Sequence, residues 1–171
     1  SMLIHSGLKI LAREGYEILI DQGIEKARTF AEMIDDEPDF ELVTRPELNI
    51  LTYRYCPENV QQALQSATPD QLEKLNTCLN RITKFLQKTQ RERGKAFVSR
   101  TRLEPARYSH FPCIVFRVVL ANPLTTPDIL TDILAEQREL AKEESIQDEI
   151  TILQQMAEAV LQGPGHGLKH A

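Results

Sequence analysis

The chain has 171 residues, of which 42% are hydrophobic and 26% are charged, and its formal net charge is −5. This balance is typical of a globular domain with a core of its own. Basic residues cluster only at residues 88–95, where a predicted helix ends and stacking aromatics are scarce, so nucleic acid is not predicted as a partner. No apolar run approaches the ~18 residues of a membrane-spanning helix, so no membrane partner is predicted.

Three cysteines, Cys56, Cys78 and Cys113, lie far apart in the sequence. They form no CxxC pair, and no histidine stands at a zinc-finger spacing from them, so we expect reduced, mostly buried thiols in a cytoplasmic protein. His166 and His170 have a spacing that could bind a metal ion on a helix, but the glycines around them argue against a helix. The sequence therefore predicts no metal site.

The first third of the chain predicts one long helix and two strands. Apolar residues recur at three- and four-residue steps over residues 8–36, which indicates a helix, and Gly15 and Gly23 favour a bend in it. Strands are predicted at residues 40–43 and 48–55, joined by a turn.

The middle of the chain contains the clearest helix signal. Residues 57–68 form a polar connection to which no element is assigned. The run Thr68-Pro69-Asp70-Gln71 then joins a threonine cap, a proline at the first helical position and a glutamine three residues after the cap, and the helix that it begins is predicted to end at Gly94. Residues 95–103 predict a strand, and residues 104–110 predict a loop.

The last third begins with a strand, CIVFRVVL, at residues 113–120. Thr126 repeats the capping pattern and begins another helix, a final helix is predicted at residues 146–162, and the remainder is predicted to be a flexible tail. The order α-ββ-α-ββ-α-α predicts an α+β fold, an antiparallel sheet of about four strands with helices packed on it.

Arg117 stands in the middle of the strand at residues 113–120. Its neighbours are apolar on both faces, a pattern typical of a strand that is covered on both sides. A guanidinium there keeps its proton, so it must meet an anion or reach a water-filled cleft. That anion is either a carboxylate of the protein or a carboxylate of a ligand, and the residue chemistry leaves both open.

Three segments carry a resemblance to a known family: GYEILIDQGIEKARTFAEMIDDEPDFELVTRPELNILTYRYCP, LNTCLNRITKFLQKTQRERGKAFVSRTRL and FRVVLANPLTTPDILTDIL. Together they resemble the region that follows the cofactor lysine in group II pyridoxal-phosphate-dependent amino-acid decarboxylases, the glutamate, aspartate and 2,4-diaminobutyrate decarboxylase family of fold type I. The resemblance covers about residues 8–140. The run from Phe116 to Thr126 is its most specific part.

The resemblance implies a C-terminal piece of a longer enzyme. Residues 1–36 would connect it to a missing cofactor domain, residues 37–142 would form the small α+β domain, and residues 143–171 would be a helix and a flexible tail. Arg117 would bind the α-carboxylate of an acidic amino acid, aspartate or glutamate, which the full-length enzyme would decarboxylate. No catalytic, cofactor-binding or metal-binding residue is predicted in the chain, because the cofactor lysine belongs upstream.

The resemblance also implies pyridoxal phosphate as the cofactor, bound mainly by the missing domain, and a cytoplasmic homodimer. The chain alone is not expected to be active. The alternative is a stand-alone regulatory α+β module that binds small carboxylates through Arg117. A purely structural domain, in which Arg117 pairs internally, is a third interpretation.

Overall fold

The computed structural model describes the backbone of residues 2–163 and the side chains of residues 13–163. The helices and strands follow in the order α1 Met2–Asp35, β1 Phe40–Thr44, β2 Ile50–Tyr55, α2 Glu58–Ser66, α3 Pro69–Arg93, β3 Ser99–Leu103, β4 Cys113–Val119, α4 Pro127–Leu140 and α5 Glu144–Leu161. A short 3-10 turn lies between β3 and β4. In the described part of the chain, no helix is long and apolar enough to cross a membrane.

The four strands form one antiparallel sheet in the order β1-β2-β4-β3. The outer strands β1 and β3 each pair with one neighbour, whereas β4 lies between β2 and β3 and pairs with both. Helices pack on this sheet, and α5 packs mainly on α2 and α3. The predicted α+β class with about four antiparallel strands is confirmed.

Helix α3 begins as its sequence predicts. The Thr68 side chain accepts a hydrogen bond from the Gln71 main-chain N–H, and the Gln71 side chain accepts one from the Thr68 main chain at 2.9 Å. These reciprocal bonds satisfy N–H groups that a helix start leaves unpaired. At the other end Gly94 takes a φ of 71°, a left-handed conformation that costs glycine little.

Helix α2 lies within residues 57–68, to which the sequence assigned no element. Its buried face consists of Val60, Ala63 and Leu64, a single turn of apolar residues within a polar segment. Pro57 precedes the helix and gives it no side-chain cap. The prediction for residues 95–103 also differs in extent, because β3 begins only at Ser99.

Tyr53 of β2 lies at the centre of the core. Its ring contacts Phe30 of α1 edge-on, with centroids 5.5 Å apart, and Phe116 of β4 at 5.1 Å. Its hydroxyl donates to Gln137 of α4 at 3.1 Å, and the Gln137 amide donates in turn to Gln90 of α3 at 3.0 Å. These contacts join α1, α3 and α4 to the middle of the sheet, and they pair the polar atoms that burial would otherwise leave unsatisfied.

Candidate functional site

Arg117 lies on β4 with an exposed side chain. The buried residues of this strand, Cys113, Val115 and Phe116, lie towards its beginning, whereas Val119 beyond Arg117 is 48% exposed. The prediction that β4 is covered on both faces is therefore wrong at the position of Arg117. On the face that carries Arg117 the covered part of the strand ends before it, whereas on the opposite face Leu120 is still buried.

Arg117 forms no ion pair with any carboxylate among the described side chains. Its cross-strand partners are Thr52 of β2 and Ser99 of β3, and its Nε donates to the Ser99 hydroxyl at 3.3 Å. The interpretation in which Arg117 pairs internally with a carboxylate is thus wrong for the described part of the protein. The guanidinium instead faces open surface.

The exposed surface beside Arg117 is apolar. Ile50 and Val119 are direct cross-strand partners, and they are 45% and 48% exposed. An arginine next to two aliphatic side chains can hold a carboxylate by its fork while the aliphatic groups contact the carbon chain that carries it.

The loop that follows β4 is tied to α1. The Lys26 ammonium donates to the main-chain oxygens of Asn122 and Pro123 at 3.1 and 2.7 Å. At Gly23, an added Cβ would lie 2.7 Å from the main-chain oxygen of Leu120, so only glycine lets α1 approach this closely. The end of the strand that carries Arg117 is therefore held against a long helix.

The arginine that does lie inside the protein is Arg54 of β2, which is 0% exposed. Its Nε donates to Glu41 Oε2 at 2.6 Å, and its Nη1 donates to Asn76 Oδ1 at 2.7 Å. Its guanidinium also lies over the Tyr108 ring, 4.8 Å from the centroid. Burial is the largest single effect and lowers the pKa of Arg54, but the Glu41 carboxylate together with Cys56, Tyr108 and Cys113 outweighs it, so the pKa is raised and the guanidinium stays charged.

Glu41 is the shared acceptor of this buried cluster. Its other oxygen, Oε1, accepts from the Tyr108 hydroxyl and lies 2.9 Å from a guanidinium nitrogen of Arg107. Burial is the largest cause that raises the pKa of Tyr108, so the phenol stays protonated and donates. Sequence reasoning did not identify this cluster, although the run LTYRY places Arg54 among apolar residues in the same way as FRVV does for Arg117.

A polar cleft of about 660 Å³ lies outside the buried cluster, lined in part by Glu41, Arg107 and Tyr108. Because Glu41 is already paired with Arg54, this cleft presents no free carboxylate from the cluster. Arg117 does not line this cleft. Its surroundings are an open face of the sheet, which encloses a ligand only when something else covers it.

Histidine side chains are further groups that could act as ligands or as acid–base groups. His110 lies in the loop before β4, where its Nδ1 contacts the Glu104 main-chain oxygen at 3.1 Å. His166, His170 and the predicted flexible tail lie outside the described residues. Within the described residues, no group of histidine, cysteine or acidic side chains could hold a metal ion.

Curated sequences similar to this chain are amino-acid decarboxylases. The chain is 56% identical over 146 residues to an aspartate 1-decarboxylase of Aliivibrio fischeri, a match that covers 85% of this chain and 27% of that protein. It is 30% identical over 138 residues to an aromatic-L-amino-acid decarboxylase of Bacillus atrophaeus, covering 81% of this chain and 25% of that protein. The chain thus spans about a quarter of the length of these relatives. No protein-family model matches it.

Solved structures share the fold. The glutamate decarboxylase domain of a diaminobutyrate-pyruvate transaminase and L-2,4-diaminobutyrate decarboxylase from Vibrio parahaemolyticus matches with a TM-score of 0.60 at 18% identity, over 81% of this chain and 25% of that one. Mouse CSAD in its apo form matches with a TM-score of 0.63 at 22% identity, over 78% of this chain and 26% of that one. The resemblance to group II pyridoxal-phosphate-dependent decarboxylases is confirmed over the region of these relatives that the chain matches.

Proposed function

We propose that this chain is the C-terminal region of a pyridoxal-phosphate-dependent enzyme that removes the α-carboxylate of an acidic amino acid, with Arg117 as the group that binds this carboxylate. The observation that carries the proposal is an exposed, carboxylate-free guanidinium on the central strand β4 of a decarboxylase-like fold. The 56% identity to an aspartate 1-decarboxylase favours aspartate over glutamate as substrate.

Arginine suits this role because of its geometry and its charge. Its planar fork donates two parallel hydrogen bonds to a carboxylate, and it keeps its proton throughout the pH range in which proteins are folded. Because the strand is paired with a neighbour on each side, the backbone from which the arginine side chain extends is held in place. When a carboxylate is bound in one orientation, its bond to the α-carbon can be aligned for cleavage. A lysine ammonium, which lies at the end of a flexible side chain, fixes the carboxylate less well.

The cofactor itself is assigned to the rest of the enzyme. Pyridoxal phosphate supplies an electron sink for the pair of electrons that the departing CO₂ leaves behind. Within the described side chains, Lys26 is engaged with two main-chain oxygens, so it does not present a free amine. The part of this chain in the reaction is to bind and orient the carboxylate.

The proposal includes the division of the chain and the setting of the enzyme. Residues 1–36 connect the small domain to the cofactor domain, residues 37–142 form the small domain, and residues 143–171 extend it. The full-length enzyme is proposed to be a cytoplasmic homodimer. Support for the reducing compartment comes from Cys56, Cys78 and Cys113, which are all buried and free.

The test uses the full-length protein that contains this chain, saturated with pyridoxal phosphate. Release of CO₂ is measured from aspartate, glutamate and 2,4-diaminobutyrate. Arg117→Lys is expected to lower kcat/KM on the order of 100-fold, because lysine keeps the charge but loses the bidentate fork, a change of roughly 2.7 kcal/mol.

Arg102→Lys is the matched control, because Arg102 lies on the neighbouring strand β3 and pairs with Glu104 at the surface. Its kcat/KM should stay within about twofold of the parent value. Full activity of Arg117→Lys would remove Arg117 from the substrate site. A well-folded full-length protein that binds no pyridoxal phosphate and releases no CO₂ would leave the small-carboxylate module as the better account.

A further inference from the structure

The hydroxyl of Ser99 lies at the root of the Arg117 side chain. Ser99 of β3 and Arg117 of β4 are direct cross-strand partners, so their side chains lie on the same face of the sheet. The Ser99 hydroxyl donates to the main-chain oxygen of Arg117 at 2.7 Å. It also accepts from Nε of the same arginine at 3.3 Å. One hydroxyl therefore contacts both the backbone and the guanidinium of Arg117.

The direction of these two bonds is fixed by their chemistry. A carbonyl oxygen only accepts, so the single hydroxyl proton points to it, and the oxygen lone pair is left to accept from Nε–H. Nε is the guanidinium nitrogen nearest the backbone, and fixing it restricts the last torsions of the side chain. Nη1 and Nη2 have no hydrogen-bond partner among the described residues, so the end of the fork is available for a carboxylate.

We propose that Ser99 is a positioning residue that holds the Arg117 guanidinium so that Nη1 and Nη2 together receive the substrate α-carboxylate. The inference rests on the proposed function of Arg117. An exposed arginine without such a contact samples many rotamers, and ordering it on substrate binding has an entropic cost. The hydrogen bond between Arg117 Nε and the Ser99 hydroxyl orders the arginine side chain before the substrate binds.

The experiment uses the full-length holoenzyme with Ser99→Ala, Ser99→Thr and the control Thr101→Ala. Thr101 is the next residue of β3 on the same face, and its cross-strand partner is Val115 rather than Arg117. Ser99→Ala is expected to lower kcat/KM for the amino acid about tenfold, and Ser99→Thr, which keeps the hydroxyl, should recover it to within about threefold. Thr101→Ala should match the parent enzyme.

Two further measurements separate positioning from a general structural effect. Product inhibition by β-alanine or 4-aminobutyrate, amines that lack the α-carboxylate, should be unchanged in Ser99→Ala. In a crystal structure of full-length Ser99→Ala, the pairing of β3 with β4 should persist while the Arg117 guanidinium loses its single orientation. Added to Arg117→Lys, Ser99→Ala should cause little further loss, because the fork that it positions is already gone.

The inference is overturned if Arg117→Lys is impaired but Ser99→Ala is not, or if Arg117 keeps one orientation in Ser99→Ala. It is equally overturned if Ser99→Ala weakens inhibition by the product amines as much as it weakens use of the substrate. Full activity of Arg117→Lys would instead defeat the proposed function of Arg117, and the Ser99 inference with it.

Discussion

Replacing Glu41 by glutamine removes the negative charge that faces Arg54 while it keeps the size of the side chain. Glu41 accepts from Nε of Arg54 at 2.6 Å, and the Arg54 side chain is completely buried. Glutamine has one acceptor oxygen where glutamate has two. Its NH₂ group is a donor, and it would face the donor groups of Arg107 and Tyr108. The guanidinium of Arg54 cannot lose its proton to escape this position.

The expected loss of stability follows from this stranded charge. Removing one partner of a buried ion pair costs about 3–5 kcal/mol, because the remaining charge stays desolvated. The pair between Glu41 and Arg107 adds little, at most about 1 kcal/mol, because the Arg107 side chain is 46% exposed. Since domains of this kind have about 5–15 kcal/mol of total stability, Glu41→Gln should bring the protein close to unfolding at room temperature.

Urea unfolding of the 171-residue chain, followed by far-ultraviolet circular dichroism, measures this loss. The control is Glu47→Gln, an exposed carboxylate in the turn between β1 and β2, which should change the unfolding free energy by less than about 0.5 kcal/mol. The double variant Glu41→Leu with Arg54→Met leaves no stranded charge and should be more stable than Glu41→Gln alone. Equal midpoints for Glu41→Gln and Glu47→Gln would refute the reasoning.

Two other predictions concern packing and the buried thiols. Gly23→Ala should lower the unfolding free energy by about 1–3 kcal/mol, because the new Cβ would lie 2.7 Å from the Leu120 main-chain oxygen. The loss is measured as a lower thermal midpoint, and a raised midpoint would show that α1 can move away at no cost. Burial raises the pKa of Cys56 and Cys78 to about 12, so both should react slowly with a thiol reagent near neutral pH until urea unfolds the protein. Below about 8.5, the pKa of a cysteine in the unfolded chain, the two buried thiols contribute fully to the stability of the folded state, and this contribution is lost as pH rises towards about 12. An unfolding free energy that did not fall over this range would contradict the raised pKa values.

The parts of the fold that the sequence predicted are those fixed by local chemistry. The caps of α3 and α4 depend on a threonine and its immediate neighbours, and both threonines accept hydrogen bonds from main-chain N–H groups three residues on. Helix α2 was missed because its apolar face is only one turn long and Pro57 provides no side-chain cap. Its stability comes from packing on α5, which lies about 90 residues away in the chain.

The candidate site was predicted less completely, for a nonlocal reason. Arg117 was identified by its position in an apolar strand, but the burial expected from that position is present at Cys113 and Val115 and absent two residues later. No property of the strand itself indicates where the covering elements end. The contact between Ser99 and Arg117 depends on the register of β3 against β4, which a single sequence does not specify.

The contrast between Arg54 and Arg117 indicates how substrate binding and burial are linked. The charge of Arg54 is paired with Glu41, and none of its side chain is exposed to a substrate carboxylate. Arg117 is exposed and lacks a carboxylate among the described side chains, so covering its face without an anion would strand a charge in the way expected for Glu41→Gln. In the proposed enzyme, the substrate carboxylate supplies the anion that Arg117 lacks among the described side chains, so binding of the carboxylate and burial of this face of the sheet favour one another.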